Sequence, residues 1–404
     1  MAAVEIKPNI YWIGVNDRTT DLFEGLWPIS RDGVSYNSYL IKDKKNAIID
    51  LSKAIKTDVF FDHIAEVIDI SQIDYVILNH MEPDHTGVLR TLKKLAPDLT
   101  ILCTEKAKTM LKDYYAITTN IEVIREGMSL SLGNKELKFF ETPFVHWPET
   151  MVTFETSQNI LFSCDAFGGY GAFRGTIFDD QCKDLDFYIN ESLRYYVNIV
   201  AKFSRPTLNA IEKLKRVPVE IIAPSHGLIW RKQPGLIVEL YKKWAGYATE
   251  EAEKGITLIY GSMYGNTEMM MNSVALGLSH GGVPVDIFDA ARTHPSYILP
   301  SLWTKSAVVI GAPTYEVGLF PPVAQILEMA ALKRVLNKKA AMFGSFGWSG
   351  GALRAIKNII EPLKWDLADI FEFRGGPTPE DLKKGHKFGV EFAKKVLSFK
   401  KLTA

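Results

Sequence analysis

Residues 75–87 read YVILNHMEPDHTG, and this stretch decides how the N-terminal half of the chain is interpreted. The apolar start predicts a strand, and the polar segment after it brings together His80, Glu82, Asp84 and His85. Because alternate side chains of an extended segment share a face, His80, Glu82 and Asp84 are expected to point together. His85 is expected to turn in where a helix starts. Four ionisable groups this close are costly to bury unless a cation joins them, so the cluster predicts a metal site.

Three further candidate ligands follow predicted strands elsewhere in the N-terminal half. They are His146 in TPFVHWPET (residues 142–150), Asp165 in FSCDAFGG (residues 162–169) and His226 in APSHG (residues 223–227). Each also has an ordinary explanation, because a loop aspartate can bond its own backbone and a core histidine can be satisfied by its neighbours. The remaining four histidines have no other candidate ligands near them in the sequence. They are expected to be structural or on the surface: His63, His280, His294 and His386.

Composition narrows the class of protein. At 404 residues the chain is too long for one ordinary core, so two domains are expected. Its 47 basic and 47 acidic residues balance, so the chain has no excess of positive charge of the kind that nucleic-acid-binding proteins use. No secretory signal, membrane partner or membrane-spanning run is predicted, so the expected location is the cytoplasm. The three cysteines, Cys103, Cys164 and Cys182, form no C-x-x-C pair. Any metal is therefore expected to be held mainly by nitrogen and oxygen atoms.

The spacing of apolar runs predicts an α/β protein with two different halves. Many short strands with few helices predict two packed sheets for residues 1–250. A charged helical linker is expected to end at Gly255, and residues 255–404 then alternate strands and helices. The predicted strands are 257–260, 283–288, 307–311, 339–343 and 367–373, with helices at 267–279, 321–332, 351–360 and 379–398. This alternation predicts a flavodoxin-like doubly wound parallel sheet.

The candidate ligands together resemble the metallo-β-lactamase superfamily, whose signature is His-x-His-x-Asp-His with later His, Asp and His ligands. Glu82 stands where that signature has its second histidine, and this departure resembles the flavodi-iron proteins, which bind two irons. The resemblance implies an N-terminal metallo-β-lactamase-like αββα sandwich and a bridging Asp165. It also implies two sets of iron ligands: His80, Glu82 and His146 for one iron, and Asp84, His85 and His226 for the other.

The exchange of imidazole for carboxylate at Glu82 agrees with iron chemistry. A carboxylate hardens the site and adds negative charge, and both changes favour iron that cycles between ferrous and ferric states. Zinc cannot change its redox state, so a zinc pair would suit only hydrolysis. A zinc hydrolase with an accessory flavin domain is the first alternative, and a flavin electron carrier with a structural metal is the second.

Three loops of the C-terminal half point to a flavin. The turn GSMYGNT (residues 261–267) precedes a helix, and backbone N–H groups at a helix N-terminus attract an anion. It resembles the flavodoxin phosphate loop, and the loops after the third and fourth strands are placed to contact an isoalloxazine ring. Ordinary glycine usage in such loops is the alternative. The expected FMN contacts are Ser262, Met263, Tyr264, Gly265, Asn266, Thr267, Pro313, Thr314, Tyr315, Ser345, Phe346, Gly347, Trp348, Ser349, Gly350 and Gly351.

The two cofactors together predict an oxygen reductase. Two ferrous ions and one reduced FMN hold the four electrons that turn dioxygen into two waters. The resemblance is strongest to methanogen-type members of the family, which implies reduced coenzyme F420 as the electron donor, with rubredoxin as the alternative. It also implies a head-to-tail homodimer or a dimer of such dimers. Reduction of nitric oxide is left open by the sequence.

Overall fold

The computed structural model describes residues 2–398, and the chain divides into two compact units between residues 245 and 246. The strands of the first unit are β1 Val4–Lys7, β2 Ile10–Trp12, β3 Val15–Asp17, β4 Leu22–Phe23, β5 Trp27–Pro28, β6 Val34–Tyr36, β7 Tyr39–Ile41, β8 Asn46–Ile49, β9 Ile73–Ile77, β10 Thr100–Thr104, β11 Ile121–Ile124, β12 Ser129–Ser131, β13 Glu136–Glu141, β14 Met151–Glu155, β15 Ile160–Cys164 and β16 Ile221–Pro224. Its helices are α1 Thr57–Ala65, α2 Pro83–Thr86, α3 Leu89–Leu95, α4 Glu105–Tyr115, α5 Leu185–Tyr195, α6 Ser204–Leu214 and α7 Pro234–Gly246, with a π turn at Tyr196–Val200 and a 3-10 turn at Ala201–Phe203 between α5 and α6.

The first unit is built on two main sheets. One has seven strands in the order β1-β2-β7-β8-β9-β10-β11, and the other has five in the order β12-β13-β14-β15-β16. The rings of Tyr39 on β7 and Phe162 on β15 have centroids 5.0 Å apart, so the sheets pack face to face. Every residue of β14, β15 and β16 is buried, as expected where helices cover the outer face of a sheet. The expected metallo-β-lactamase-like sandwich is confirmed.

The second unit is a doubly wound sheet. Its elements are β17 Glu253–Tyr260, α8 Asn266–His280, β18 Val285–Asp289, α9 Pro295–Thr304, β19 Lys305–Gly311, β20 Thr314–Tyr315, β21 Gly318–Leu319, α10 Pro321–Leu332, β22 Lys339–Phe346, α11 Ala352–Ile360, β23 Asp366–Arg374 and α12 Pro379–Ser398. The strands are parallel and lie in the order β18-β17-β19-β22-β23. The chain adds β18 on one side of β17 and the later strands on the other, and this change of side leaves a crevice at the carboxyl ends of β17 and β19. The expected flavodoxin-like fold is confirmed.

Helices α8 and α12 approach each other unusually closely in the second unit. A Cβ atom at Gly277 would lie 2.1 Å from the carbonyl oxygen of His386, and one at Gly389 would lie 2.3 Å from that of Val274. Glycine is therefore required at both positions, because any side chain would push the helices apart.

Two expectations about elements are wrong. The linker is not helical to its end, because α7 stops at Gly246, whose carbonyl accepts from the backbone N–H groups of Thr249 and Glu250 in a turn. The predicted set of helices also lacks α9, whose Pro295 lies in the first turn, where its missing N–H costs little. Within residues 2–398, every helix is too short or too polar to cross a lipid bilayer.

Candidate functional site

The loop after β9 changes direction at Pro83, and this corrects one expectation. Pro83 begins the single turn α2, in which the N–H of His85 donates to the carbonyl of Glu82. The segment is therefore not extended beyond Glu82, and Asp84 does not share a face with His80. Because the chain turns, His80 and Glu82 face one group of side chains, whereas Asp84 and His85 face another.

The first group consists of His80, Glu82 and His146. The Nε2 atoms of His80 and His146 lie 3.3 and 3.1 Å from Glu82 Oε2. Both nitrogens also lie 3.5 Å from Asp165 Oδ2. Four potential ligand atoms from three separate loops therefore face one small volume.

The second group consists of Asp84, His85 and His226. The Nε2 atoms of His85 and His226 each lie 3.3 Å from an Asp84 oxygen. The same nitrogens lie 3.1 and 3.4 Å from Asp165 Oδ1. Asp165 thus stands between the groups, with one carboxylate oxygen toward each.

The second group and Asp165 contain polar atoms that the protein itself does not satisfy. Within residues 2–398, both carboxylate oxygens of Asp84, Oδ2 of Asp165 and Nε2 of His85 and His226 are buried without a hydrogen-bond partner. Buried polar atoms normally have partners, so their convergence fits bound cations. Nitrogen and carboxylate oxygen donors in this number suit iron.

Negative charge dominates the electrostatics of the site. Burial alone would lower the pKa of His226, but the carboxylates of Asp165 and Asp84 outweigh it and raise the pKa to about 10. Burial would likewise lower the pKa of His80, yet hydrogen bonds to Glu149 and Glu82 raise it well above its usual value. Burial alone would raise the pKa of Asp165, but the neighbouring histidines, His85 first, hold it well below its usual range. Positive charge is therefore favoured here, whether a proton or a metal ion supplies it.

The side chain of Glu149 and the carbonyl of Ser35 hold two of the candidate ligands in place, and sequence reasoning missed both. His80 Nδ1 lies 2.7 Å from Glu149 Oε1, which also accepts from the N–H of Met81 at 3.0 Å. His226 Nδ1 donates to the carbonyl of Ser35 at 2.7 Å. Glu149 lies three residues after His146, and a carboxylate so near a candidate histidine is the signal that could have identified it. A backbone carbonyl such as that of Ser35 leaves no such signal.

Aromatic side chains surround the two groups. The hydroxyl of Tyr195 donates to Asp165 Oδ1 at 2.9 Å, and the ring of Trp147 meets that of His80 edge-on at 5.0 Å. Phe167 and Tyr196 instead pack against Tyr241 in the core. Of these four aromatic residues near the candidate ligands, Trp147 and Tyr195 therefore contact the site directly.

The three candidate flavin loops all lie at the carboxyl ends of parallel strands in the second unit. Gly265, with φ of +89°, turns the first loop into α8, and Thr267 Oγ1 lies 3.1 Å from Ser345 Oγ of the third loop. Thr314 of the second loop accepts from the N–H of Ala352 at the start of α11. These contacts bring the three loops together at the crevice between β17 and β19.

The aromatic residues of these loops are exposed. Tyr264 and Trp348 keep 91% and 87% of their surface accessible, and Tyr315 keeps 39%. Flat faces that remain open beside the crevice are suited to a planar ring, because each covers apolar area when a ligand binds.

The remaining histidines and cysteines have identifiable surroundings. His63 is buried, and its Nδ1 lies 2.9 Å from the carbonyl of Gly14. His294 accepts from the N–H of Ser296 at the start of α9. His280 and His386 contact each other at 2.9 Å, which the sequence did not suggest. All three cysteines are free; Cys103 and Cys164 are buried and Cys182 is half-buried.

Comparison with known proteins gives matches along most of the chain. Residues 34–227 match the family model for the ODP family beta lactamase, and residues 258–388 match the model for flavodoxin. The anaerobic nitric oxide reductase flavorubredoxin of Escherichia coli K12 is 35% identical over 398 residues, covering 97% of this chain and 82% of the relative.

Solved structures of similar proteins match this chain over nearly its whole length. The rubredoxin oxygen:oxidoreductase of Desulfovibrio gigas has a TM-score of 0.92 at 29% identity, covering 98% of this chain and 99% of its own. The flavodiiron protein of Giardia intestinalis has a TM-score of 0.92 at 28% identity, covering 98% of this chain and 97% of its own.

Proposed function

The chain belongs to the flavodi-iron protein family, and on this premise we propose that it reduces dioxygen to water. It is an oxidoreductase, and its cofactors are FMN and a di-iron centre. Bound together in reduced form, these cofactors supply the four electrons that the reaction consumes. The position of Asp165, with one oxygen toward each histidine–carboxylate group, is the observation that carries the proposal.

The side chains of the first unit have the following proposed roles. Asp165 would bridge the irons, His80, Glu82 and His146 would hold one of them, and Asp84, His85 and His226 would hold the other. Glu82 favours a metal that cycles between oxidation states, since its carboxylate is a hard and negatively charged donor. The hydroxyl of Tyr195 keeps the Asp165 carboxylate in its orientation by a hydrogen bond.

The side chains of the second unit have proposed roles toward FMN. The loop from Ser262 to Thr267 holds the phosphate, because it offers hydroxyls and the N-terminal N–H groups of α8. The residues from Pro313 to Tyr315 and from Ser345 to Gly351 line the ring. The open faces of Tyr315 and Trp348 support this role, because each would cover part of the ring when FMN is bound.

We further propose that reduced coenzyme F420 gives its hydride to FMN, and that head-to-tail homodimers bring one subunit's FMN near the other's irons. Rubredoxin is the alternative donor, and the name of the Desulfovibrio gigas protein supports it. Stopped-flow mixing of the anaerobic protein with either donor separates the two. If reduced coenzyme F420 leaves the FMN oxidised, the F420 proposal is overturned.

The test of dioxygen reduction uses protein purified with its own metals. Metal analysis is expected to find two irons per chain, and reduction followed by exposure to oxygen is expected to consume it without accumulating peroxide. Two zincs and no iron would favour the hydrolase alternative. Stoichiometric peroxide would favour a flavin electron carrier.

Reduction of nitric oxide is the second candidate function. The 35% identity to a protein named anaerobic nitric oxide reductase flavorubredoxin favours it. Turnover of the same reduced protein with nitric oxide and with dioxygen decides between them, since the preferred substrate has the larger kcat/KM.

A further inference from the structure

The two metal positions have matched ligand sets. Each combines two imidazole nitrogens, one carboxylate of its own (Glu82 or Asp84) and one oxygen of Asp165. When direct ligands are so alike, a difference between the metals must come from groups that contact those ligands.

The groups behind His80 and His226 are not alike. His80 Nδ1 lies 2.7 Å from Glu149 Oε1, and both side chains are fully buried. His226 Nδ1 also lies 2.7 Å from its acceptor, but that acceptor is the neutral carbonyl of Ser35. An imidazole whose N–H points at a carboxylate becomes a stronger donor through its other nitrogen than one whose N–H points at a carbonyl. In a dry site this difference is weakly screened.

The bridging carboxylate differs between its two sides in the same direction. Tyr195 donates a hydrogen bond to Asp165 Oδ1, the oxygen that faces His85 and His226. That bond draws electron density away from Oδ1. Oδ2, which faces His80 and His146, has no hydrogen-bond partner among residues 2–398. The stronger oxygen donor therefore serves the same metal as His80, the stronger imidazole donor of the pair His80 and His226.

We propose that Glu149 is a positioning residue that makes the two irons electronically unequal, so that the iron beside His80 has a lower midpoint potential than the iron beside His226. This inference rests on the ligand assignment proposed above. The charge of Glu149 stabilises the ferric state of the nearer iron, since the more electron-rich donor set favours the higher positive charge.

The test is a redox titration of the iron-loaded full chain, followed by electron paramagnetic resonance and Mössbauer spectroscopy. The unmodified protein is expected to have two separate one-electron couples. Glu149→Gln keeps the size of the side chain and removes its charge. We expect it to raise the lower couple by at least the equivalent of a tenfold change in the ferric-to-ferrous ratio, about 59 mV for one electron. The upper couple is expected to move less.

Glu105 offers a matched control. It lines the same surface cavity of about 290 Å³ as Glu149 but makes no hydrogen bond to His80. Glu105→Gln removes the same charge and is expected to leave both couples in place. Glu149→Asp keeps the charge at a longer reach and is expected to shift the lower couple less than Glu149→Gln does.

The outcomes separate this inference from the proposed function. If the unmodified protein binds two irons but Glu149→Gln leaves both couples unchanged, or moves them equally, the inference is overturned alone. An equal effect of Glu105→Gln also overturns it. If the unmodified protein binds no iron, the proposed function fails. If Glu149→Gln loses its iron, Glu149→Asp replaces it in the titration, and absence of an upward shift there is the overturning result.

Discussion

The candidate metal site and the candidate flavin loops offer their cofactors different kinds of groups. All seven side chains of the candidate metal site are at most 14% exposed, and each of the four histidines lies within 3.5 Å of an oxygen of Asp165. In the flavin loops Tyr264 and Trp348 are almost fully exposed, and the helix N-terminus offers backbone groups. The metal site therefore depends on the identity of individual side chains, whereas the flavin site depends more on the path of the backbone.

Removal of the metal should have the largest effect and should be confined to one unit. With free iron about a thousandfold above its dissociation constant, bound metal stabilises the fold by roughly 4 kcal/mol. A chelator is expected to lower the melting temperature of the first unit and leave that of the FMN-loaded second unit unchanged. Scanning calorimetry with and without chelator measures both. Equal shifts in both transitions would break the comparison.

Asp165→Asn should come next. The amide keeps the size of the side chain but loses the charge between the two groups, so iron content is expected to fall and oxygen uptake to drop by at least about 100-fold. FMN content should not change. Asp186→Asn, on the exposed side of α5, is the control. Retention of two irons with normal activity would contradict the bridging role.

Thr267→Val should weaken FMN by a moderate amount. The variant loses a buried hydroxyl at the start of α8, and a hydrogen bond to a charged group contributes about 1.5–3 kcal/mol, so the dissociation constant should rise at least about tenfold. Fluorescence titration of the flavin-free protein measures it, and iron content serves as the internal check. Ser279→Ala, at the far end of the same helix, should bind FMN normally.

Trp348→Ala should have the smallest effect. The indole is 87% exposed, and an aromatic contact contributes about 0.5–1.5 kcal/mol, so FMN affinity should fall by about 2- to 13-fold. The same titration tests it, and the melting temperature of the flavin-free protein should not change. A loss of affinity greater than that of Thr267→Val would show that one side chain, not the backbone, decides flavin binding.

Much of the fold and the membership of the candidate site could be predicted from sequence. Buried parallel strands such as β19 are continuous apolar runs, and polar residues after such runs are unusual enough to identify. The structure brings together all seven residues that the pattern selected. The direction in which the Asp84 side chain points could not be predicted from the alternation of an extended strand, because the chain begins the helical turn α2 at Pro83.

Contacts between distant parts of the chain account for the rest. The position of Glu149 near His146 could have identified it as a candidate, but its contact with His80 joins two separate loops, and no local pattern predicts that pairing. The contact between His280 and His386 follows from the close packing of α8 and α12, which depends on small residues whose role is visible only in three dimensions. Helix α9 could not be predicted from its sequence, because the two prolines of this short segment, Pro295 and Pro300, have a low helix propensity that outweighs its apolar periodicity.

The distance along the chain between His80 and His226 has a consequence for how the protein is made. The site needs residues from the segments that follow β9, β13, β15 and β16, so no fragment that emerges early from the ribosome carries a complete set of ligands. We therefore expect iron to be captured after the first unit has folded, and refolding should be equally fast with and without iron. A faster return of helical signal with iron present would contradict this order. If iron is captured after folding, only a chain that has formed both sheets of the first unit can acquire the redox centre.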